Sequence, residues 1–189
     1  MEQQGGEVTG TSPQVTMVTG SSGGIGAAAV RALRLRGDVV VGADRAPLDG
    51  QEIDDFLELD ITDEQQTRAV IARVVQGHGR IDAVVHCAGV LGGTPDPLAT
   101  STDEFERIMR VNATGTFTIT REVANLMREH GTTGTILLLS SVAAKEARVD
   151  YLPYNASKIA VLHIMWSMAK ILGPAGIQAA QIHDLWQMT

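Results

Sequence analysis

Apolar residues along the chain fall into short continuous runs that alternate with longer stretches of helical spacing. The runs predict strands at 15–19, 38–44, 56–60, 81–87 and 135–140, and a weaker pattern suggests a sixth at 177–182. The helical spacing predicts helices at 24–36, 63–77, 102–128 and 151–172. Thr62 with Gln65, and Ser101 with Glu104, fit capping boxes at the starts of the second and third helices.

The strand-like runs indicate a sheet that is covered on both faces. The segments near 39–41, 83–85 and 136–139 are apolar at every position, and their alternation with helices predicts a parallel sheet. We therefore expect an α/β fold, a doubly wound parallel sheet between two layers of helices. The carboxyl ends of parallel strands share one edge, so the residues at these ends should line one crevice. They are Gly20, Asp44, Asp60, Gly89 and Ser141.

Composition narrows the class of protein without identifying a function. The 189 residues fit one domain, with a polar, Gly-rich stretch at 1–14 interpreted as a disordered lead-in and the folded domain at 15–189. Twenty-two acidic and 15 basic residues give a net charge of −7, which argues against nucleic acid or an anionic membrane as partner. No apolar run reaches transmembrane length. The single cysteine is compatible with the reducing cytoplasm.

The first predicted strand enters a glycine-rich turn at 19–26, and a helix rich in alanine follows. Gly20 permits a tight turn, Gly24 lets the backbone approach a diphosphate, and Gly26 lets helix and strand pack closely. The N-terminus of the new helix adds N–H groups and a positive dipole end that favour phosphate. The segment therefore predicts a dinucleotide-binding loop.

Asp44 ends the second predicted strand, 18 residues after Gly26. A carboxylate there can accept bonds from the adenosine ribose hydroxyls of NAD and repels the 2′-phosphate of NADP. Position 23 is glycine, so the loop brings no basic residue for that phosphate. Arg45 stands against this preference, because a guanidinium can pair with a phosphate. We predict NAD and keep NADP as the alternative.

Tyr154 and Lys158 lie four residues apart and share one face of the last predicted helix. A nearby ammonium favours the phenolate form of a tyrosine. Ser141, thirteen residues before the tyrosine, could hold a substrate oxygen beside the phenol. Ser140 is the alternative hydroxyl, but the thirteen-residue spacing favours Ser141. These groups could move a proton to or from an alcohol or a carbonyl.

Taken in chain order, the glycine loop, Ser141, Tyr154 and Lys158 resemble the classical short-chain dehydrogenase/reductase family. Further matches to that family, which run from about Val15 to Ile177, are Asp60, Ala88, Gly89 and Asn112. The glycine spacing differs from that of the extended epimerase branch, which disfavours an epimerase or dehydratase.

The resemblance implies a three-layer Rossmann-like fold and an NAD-dependent oxidoreductase that interconverts a secondary alcohol and a ketone by hydride transfer. Tyr154 would exchange the hydroxyl proton, and Lys158 would lower its pKa and hold the nicotinamide ribose. Ser141 would orient the substrate oxygen, and Asn112 would position water in a proton relay to Lys158. The implied cofactor contacts are Gly20, Ser22, Gly24, Ile25, Gly26, Asp44, Asp60, Ile61, Cys87, Ala88, Gly89, Tyr154 and Lys158. No metal ligand is predicted.

His86 and Cys87 depart from the family pattern, which has paired asparagines at these positions. The change puts in doubt the hydrogen bonds that normally tie the central strands together near the cofactor. We interpret Cys87 as a packing residue and His86 as structural rather than catalytic.

The last residues also depart from the pattern. Asp184 and Leu185 stand where the family has a Pro-Gly loop that touches the nicotinamide. We expect the family's last strand and substrate-binding helices to be missing, so that the domain is incomplete at its C-terminus. The alternative to an active enzyme is therefore a cofactor-binding pseudoenzyme or an inactive truncated fragment.

The helix predicted at 151–172 is apolar around much of its circumference, more than one core-facing stripe requires. The resemblance implies that this helix and the one at 102–128 form the interface of a homodimer or homotetramer. A deeply buried helix in a monomer is the alternative.

Overall fold

The computed structural model describes residues 13–94 and 96–184, which form a parallel sheet with helices on both faces. The strands are β1 Val15–Thr19, β2 Val39–Asp44, β3 Asp55–Glu58, β4 Ala83–His86, β5 Gly134–Ser141 and β6 Ile177–Asp184. The α-helices are α1 Gly24–Arg36, α2 Glu64–His78, α3 Thr102–Met109, α4 Gly115–Glu129 and α5 Leu152–Leu172. Apart from its last two residues, the lead-in predicted at 1–14 lies outside the described residues.

The sheet order is β3-β2-β1-β4-β5-β6, with every pair parallel. The chain starts in the middle of the sheet, builds one side through β3, and then returns to build the other side from β4. The strand order therefore reverses between β1 and β4, where a crevice opens at the carboxyl ends. The predicted α/β fold with a doubly wound parallel sheet is confirmed, and the suggested sixth strand is present as β6.

The two faces of the sheet bury unequal cores. A large cluster joins the sheet to α2, α4 and α5 through residues such as Val74, Ile119 and Leu162. On the opposite face, α1 contributes Val30 to a small cluster with Val18 and Val40. Among the described residues, most of the buried apolar core therefore lies on the side of α2, α4 and α5.

The capping prediction for α2 is wrong by one residue. Asp63 caps this helix, and its Oδ1 accepts the N–H groups of Gln65 and Gln66 at 2.8 and 3.0 Å. The Thr62 hydroxyl instead donates to Asp60 at 2.8 Å. A carboxylate next to the helix is a good acceptor for these N–H groups, which leaves Thr62 to bind Asp60.

The cap predicted for α3 is present in one of its two halves. Ser101 Oγ accepts the N–H of Glu104 at 3.2 Å. In a complete capping box, the Glu104 side chain would accept the backbone N–H of Ser101. Here it forms an ion pair with Arg107 at 2.7 Å.

The helix predicted at 102–128 is interrupted. A π-helical turn over Arg110–Thr114 separates α3 from α4. Such a turn inserts one residue into the helical repeat, and it occurs often at functional sites. Asn112 lies inside this turn and is buried.

Within the described residues, none of the helices combines the length and apolar character that crossing a membrane requires.

Candidate active site

Two adjoining cavities open at the carboxyl edge of the sheet, where the strand order reverses. One has a volume of about 350 Å³ and the other about 760 Å³. Both are lined by Gly20, Cys87 and Gly89, so they meet at the ends of β1 and β4. The strand-end residues that the sequence predicted to share a crevice are brought together here.

The first cavity joins the glycine loop to the groups proposed for proton transfer. It is lined by Gly20, Gly24, Ile25, Gly26, Cys87, Gly89, Ser141, Tyr154 and Lys158. The second cavity extends from the same loop and is lined by Asp44, Arg45, Asp60, Ile61, Cys87, Ala88 and Gly89. Ser22 is not among the residues that line either cavity. Its N–H donates to Asp44, and its hydroxyl donates to the carbonyl of Ala46.

Two glycines of the loop are required by its geometry. Gly20 has a φ of +68°, and a Cβ there would lie 2.6 Å from the backbone nitrogen of Ala88. A Cβ on Gly26 would lie 2.0 Å from the carbonyl oxygen of Gly20. A Cβ on Gly24 would have no atom within 4 Å, so this position leaves open space at the start of α1. The loop therefore presents a bare helix N-terminus to the cavity, which suits a diphosphate.

Asp44 is anchored to the glycine loop by its carboxylate. Its Oδ2 accepts the N–H of Ser22 at 3.0 Å, and its Oδ1 accepts the N–H of Arg45 at 2.7 Å. Each carboxylate oxygen has further acceptor capacity, which is available to ribose hydroxyls in the second cavity.

Asp60 lies in the second cavity and is kept ionised by its neighbours. The pKa of Asp60 is lowered by hydrogen bonds from the Thr62 N–H and hydroxyl, and by the charge of Arg45. Asp44, Asp60 and Arg45 therefore face the same cavity, with two carboxylates beside one guanidinium.

Lys158 is buried beside Tyr154, one helical turn away on α5. Its ammonium lies 5.5 Å from the centroid of the Tyr154 ring and donates to the carbonyl of Leu139 on β5 at 2.8 Å. The lysine is only 6% exposed, so its charge acts through protein rather than water. The same charge contributes to lowering the pKa of His86, after the larger effect of burial.

Of the two serines at the end of β5, Ser141 is the one that lines the cavity. Its Oγ accepts the N–H of Ala143 at 3.2 Å, which fixes the side chain at the start of a short 3₁₀ turn over Val142–Ala144. Ser140 is fully buried in the strand and does not line the cavity.

Asn112 is placed behind the cavity wall rather than in it. Its Oδ1 accepts the N–H of Val90 at 2.8 Å, and its Nδ2 donates to Val90 O and Ser157 Oγ, both at 2.9 Å. A Cβ on Gly89 would lie 3.3 Å from Asn112 Oδ1 and 3.9 Å from Lys158 Nζ, so both side chains approach this glycine. The side chain thus joins the loop after β4 to the helix that carries Lys158.

His86 forms a hydrogen bond between the central strands β1 and β4. Its departure from the family pattern had put such a bond in doubt. The ring Nδ1 lies 2.6 Å from Thr19 Oγ1 on β1, and Nε2 lies 3.0 Å from Thr116 Oγ1 on α4. Burial, with a smaller contribution from Lys158, lowers the pKa of His86 to about 3. The imidazole is therefore neutral at physiological pH.

Cys87 lines both cavities, but its thiol is not activated for reaction. Burial raises the pKa of its thiol to about 11, against a smaller opposing effect of Lys158. The protonated thiol is a poor nucleophile.

The first cavity has further lining residues that sequence reasoning did not single out. Among them are Arg148, Tyr151 and Leu91, and the Arg148 guanidinium lies 5.7 Å from the centroid of the Tyr151 ring. Leu91 and Arg148 lie in irregular segments after β4 and β5, and Tyr151 ends a 3₁₀ turn over Val149–Tyr151. No motif marks these residues in the sequence.

The arrangement suits proton transfer next to a bound dinucleotide. A phenol, a buried ammonium and a hydroxyl line the cavity that the glycine loop also lines. Two adjoining cavities, a bare helix N-terminus and the Asp44 carboxylate fit a nicotinamide dinucleotide. Within 13–94 and 96–184, no group of three or more His, Cys, Asp or Glu side chains is placed to hold a metal ion.

Comparisons with known proteins point to one family. The family described as short chain dehydrogenase matches residues 14–183. A 3-hydroxyacyl-CoA dehydrogenase type-2 from Drosophila melanogaster is 30% identical over 185 residues, covering 89% of this chain and 72% of the relative. A 3-alpha-(or 20-beta)-hydroxysteroid dehydrogenase from Mycobacterium bovis is 35% identical over 178 residues, covering 90% of this chain and 67% of the relative.

Among solved structures, a variant of an actinorhodin polyketide ketoreductase with NADPH superposes with a TM-score of 0.84. It is 25% identical, and the match covers 94% of this chain and 78% of that chain.

Proposed function

Since the chain belongs to the short-chain dehydrogenase family, whose members are oxidoreductases acting on CH–OH groups, we propose that it interconverts a secondary alcohol and a ketone with NAD. The relatives named above support the substrate class, because hydroxyacyl-CoA and hydroxysteroid both carry a hydroxyl group. The observation that carries the proposal is the single cavity shared by the glycine loop, Tyr154, Lys158 and Ser141.

In this mechanism Tyr154 Oη exchanges the proton of the substrate hydroxyl. The buried ammonium of Lys158, 5.5 Å from the phenol ring centroid, favours the phenolate that accepts this proton. Ser141 Oγ holds the substrate oxygen beside the phenol. Asn112 acts from behind the cavity wall. Its side-chain amide is engaged by Val90 and Ser157, so we assign the water of the relay to Lys158 to its main-chain carbonyl.

The nicotinamide cofactor supplies a hydride acceptor or donor when it is bound. The chain's own residues hold it along the crevice, with the N-terminus of α1 at the diphosphate and Asp44 at the adenosine ribose. Asp60, Ile61 and Ala88 line the cavity in which the adenine end would lie.

Turnover with a panel of secondary alcohols and NAD, followed by NADH absorbance, tests the proposed function. Cofactor binding measured by calorimetry on the same protein separates an enzyme from the alternative, a cofactor-binding pseudoenzyme. Binding of NAD without turnover of any alcohol or ketone would favour that alternative.

Asp44→Ala should weaken NAD binding and relax discrimination against NADP. Two like charges about 4 Å apart repel by about 4 kcal/mol at an effective dielectric of about 20, so even a fraction gives a tenfold preference. The ketoreductase structure contains NADPH, which stands against a preference for NAD. In this chain, Arg45 is the residue that would bind the 2′-phosphate of NADP. Calorimetric titration with both cofactors measures the change.

Asp44→Asn is the matched variant for this prediction. It removes the charge while leaving a carbonyl oxygen that can accept the Ser22 N–H, so the glycine loop keeps its anchor. Discrimination should relax in both variants, whereas NAD affinity should fall further in Asp44→Ala. Equal affinity of the unmodified protein for NAD and NADP would contradict the assignment.

We propose that the chain forms a homodimer or homotetramer through α4 and α5. Ile159 and Trp166 lie seven residues apart on α5 and are about half exposed, and Phe117 on α4 is similarly exposed. Large apolar side chains at helical spacing on an open surface are typical of a subunit interface.

Trp166→Glu should therefore shift the protein to a smaller mass in light scattering coupled to size exclusion. The indole is 47% exposed, and a symmetric interface would lose its contact twice. Leu35→Glu is the control, because Leu35 lies on α1, across the sheet from α4 and α5, and is 89% exposed. An unchanged mass for Trp166→Glu, or a monomeric parent, would contradict the proposed interface.

We propose a cytoplasmic location, because the sequence has one cysteine, which cannot form a disulfide within the chain.

A further inference from the structure

A buried chain of hydrogen bonds runs from β1 to the main-chain carbonyl of Asn112. Thr19 Oγ1 lies 2.6 Å from His86 Nδ1, and His86 Nε2 lies 3.0 Å from Thr116 Oγ1. Thr116 Oγ1 then lies 2.5 Å from the carbonyl oxygen of Asn112. All four residues are at most 2% exposed, so water does not compete for these bonds.

The Asn112 carbonyl, at which this row of hydrogen bonds ends, fixes the donor and the acceptor of every bond in the row. A carbonyl oxygen only accepts, so Thr116 gives its single hydroxyl proton to Asn112. Thr116 must then accept from His86, which requires a proton on Nε2. The bare Nδ1 accepts in turn from the Thr19 hydroxyl. His86 is thereby assigned as the neutral Nε2–H tautomer, and all three donors point towards Asn112.

Hydrogen bonds that are aligned in one direction polarise one another. The row of hydrogen bonds therefore gives the Asn112 carbonyl a strengthened donor, which polarises this carbonyl. The Asn112 side chain is held separately, by Val90 and Ser157. Thr19 directly precedes Gly20, so the chain also links the cofactor loop to this carbonyl.

We propose that His86 is a positioning residue that acts through Thr116 on the main-chain carbonyl of Asn112. The consequence for turnover rests on the proposed function, in which this carbonyl serves the proton relay to Lys158. The tautomer of His86 and its hydrogen bonds can be tested in a protein without turnover.

Two substitutions at His86 separate this role from a simple tie between strands. The side-chain amide of asparagine reaches about as far as Nδ1, so His86→Asn keeps the bond to Thr19 and loses Thr116. The longer side chain of glutamine reaches about as far as Nε2, so His86→Gln keeps the hydrogen bond to Thr116 and loses the one to Thr19. If His86 acts through Thr116, His86→Gln should retain at least fivefold more kcat than His86→Asn. A residue that only ties β4 to β1 would give the reverse order and overturn the proposal.

Thr116→Val removes the link on the helix side. It should lower kcat about tenfold with NAD affinity unchanged, and Thr116→Ser should restore it. Thr120→Val is the matched control, because Thr120 is equally buried and donates to the carbonyl of Thr116 at 2.6 Å without joining the chain. Equal loss of kcat in Thr116→Val and Thr120→Val would overturn the proposal.

Nuclear magnetic resonance decides the positioning role even in a protein without turnover. Long-range ¹⁵N–¹H spectra of the full chain should show His86 as the neutral Nε2–H tautomer between about pH 5 and 8. The ¹³C shift of the Asn112 carbonyl should move in His86→Asn and Thr116→Val and stay in Thr120→Val. An Nδ1–H tautomer, an imidazolium, or an Asn112 carbonyl that ignores these substitutions would overturn the proposal. An inactive parent that shows the expected spectra would instead refute only the proposed function.

Discussion

Tyr154→Phe should lower kcat by at least about a hundredfold and leave NAD binding unchanged. The substitution removes only the phenolic oxygen, and general acid–base catalysis contributes about 10²- to 10⁴-fold. The ring, its position 5.5 Å from the Lys158 ammonium and the glycine loop are all retained. Steady-state kinetics with the best alcohol of the panel, together with calorimetry for NAD, measures both effects.

Tyr151 provides an internal comparison for this prediction. It lines the same cavity three residues earlier in the chain, and the charge near its ring is the Arg148 guanidinium, 5.7 Å from the ring centroid. Tyr151→Phe should cost far less turnover than Tyr154→Phe. Near-normal rates in Tyr154→Phe, or equal losses in the two variants, would show that another group transfers the proton.

Gly26→Ala should destabilise the fold, whereas Gly24→Ala should weaken cofactor binding alone. The added Cβ at position 26 would lie 2.0 Å from a backbone oxygen, and backbone cannot yield as a flexible side chain does. We expect a loss of about 3 kcal/mol or more in the free energy of unfolding, at the upper end for overpacking. At position 24 the Cβ meets no atom within 4 Å, so stability should be kept or slightly raised by better helix propensity.

The methyl group on residue 24 would nevertheless stand where a diphosphate must approach the backbone, and NAD affinity should fall at least about tenfold. Urea unfolding and calorimetric titration of both variants separate the two effects. Gly77→Ala, in open space on α2, is the control for helix propensity without a nearby ligand. A stable Gly26→Ala protein, or a Gly24→Ala protein that binds NAD normally, would contradict the roles assigned to the loop.

Much of the fold could be predicted from the sequence because its signals are local and repeated. The apolar run of β1, the glycines after it and the alanines of α1 agree on one strand–turn–helix unit. Parallel strands that are covered on both faces leave few alternatives for their arrangement, so the crevice and its residues followed from the order of elements.

The π turn at Arg110–Thr114 could not be predicted, because it replaces a helix with another helix of almost the same spacing. Residues on both sides keep the pattern expected of an uninterrupted helix. The turn depends on long-range contacts of Asn112 with Val90 and Ser157, which lie 22 and 45 residues away in the chain. Sequence periodicity does not report such contacts.

The partners of His86 escaped sequence reasoning for a similar reason. Threonine is common in strands and is tolerated in helices, so Thr19 and Thr116 gave no signal of a polar chain. The registry of β1 beside β4 places Thr19 opposite His86, and only the packed helix α4 adds Thr116. The cap of α2 failed on a smaller scale, because Asp63 and Thr62 are both good caps and one residue separates them.

The unequal cores on the two faces of the sheet have a consequence for how the protein opens. Of the residues that the structure describes, α1 buries only Gly26, Ala27 and Val30, fewer than α2, α4 or α5 bury on the opposite face, so its layer has less to lose by local unfolding. In the proposed function, the same helix would present its N-terminus to the cofactor. A ligand bound there at 100 times its dissociation constant adds about 2.7 kcal/mol to the stability of that layer. Bound cofactor would thus stabilise the α1 layer against local unfolding. Resistance to proteolysis would rise with the cofactor concentration.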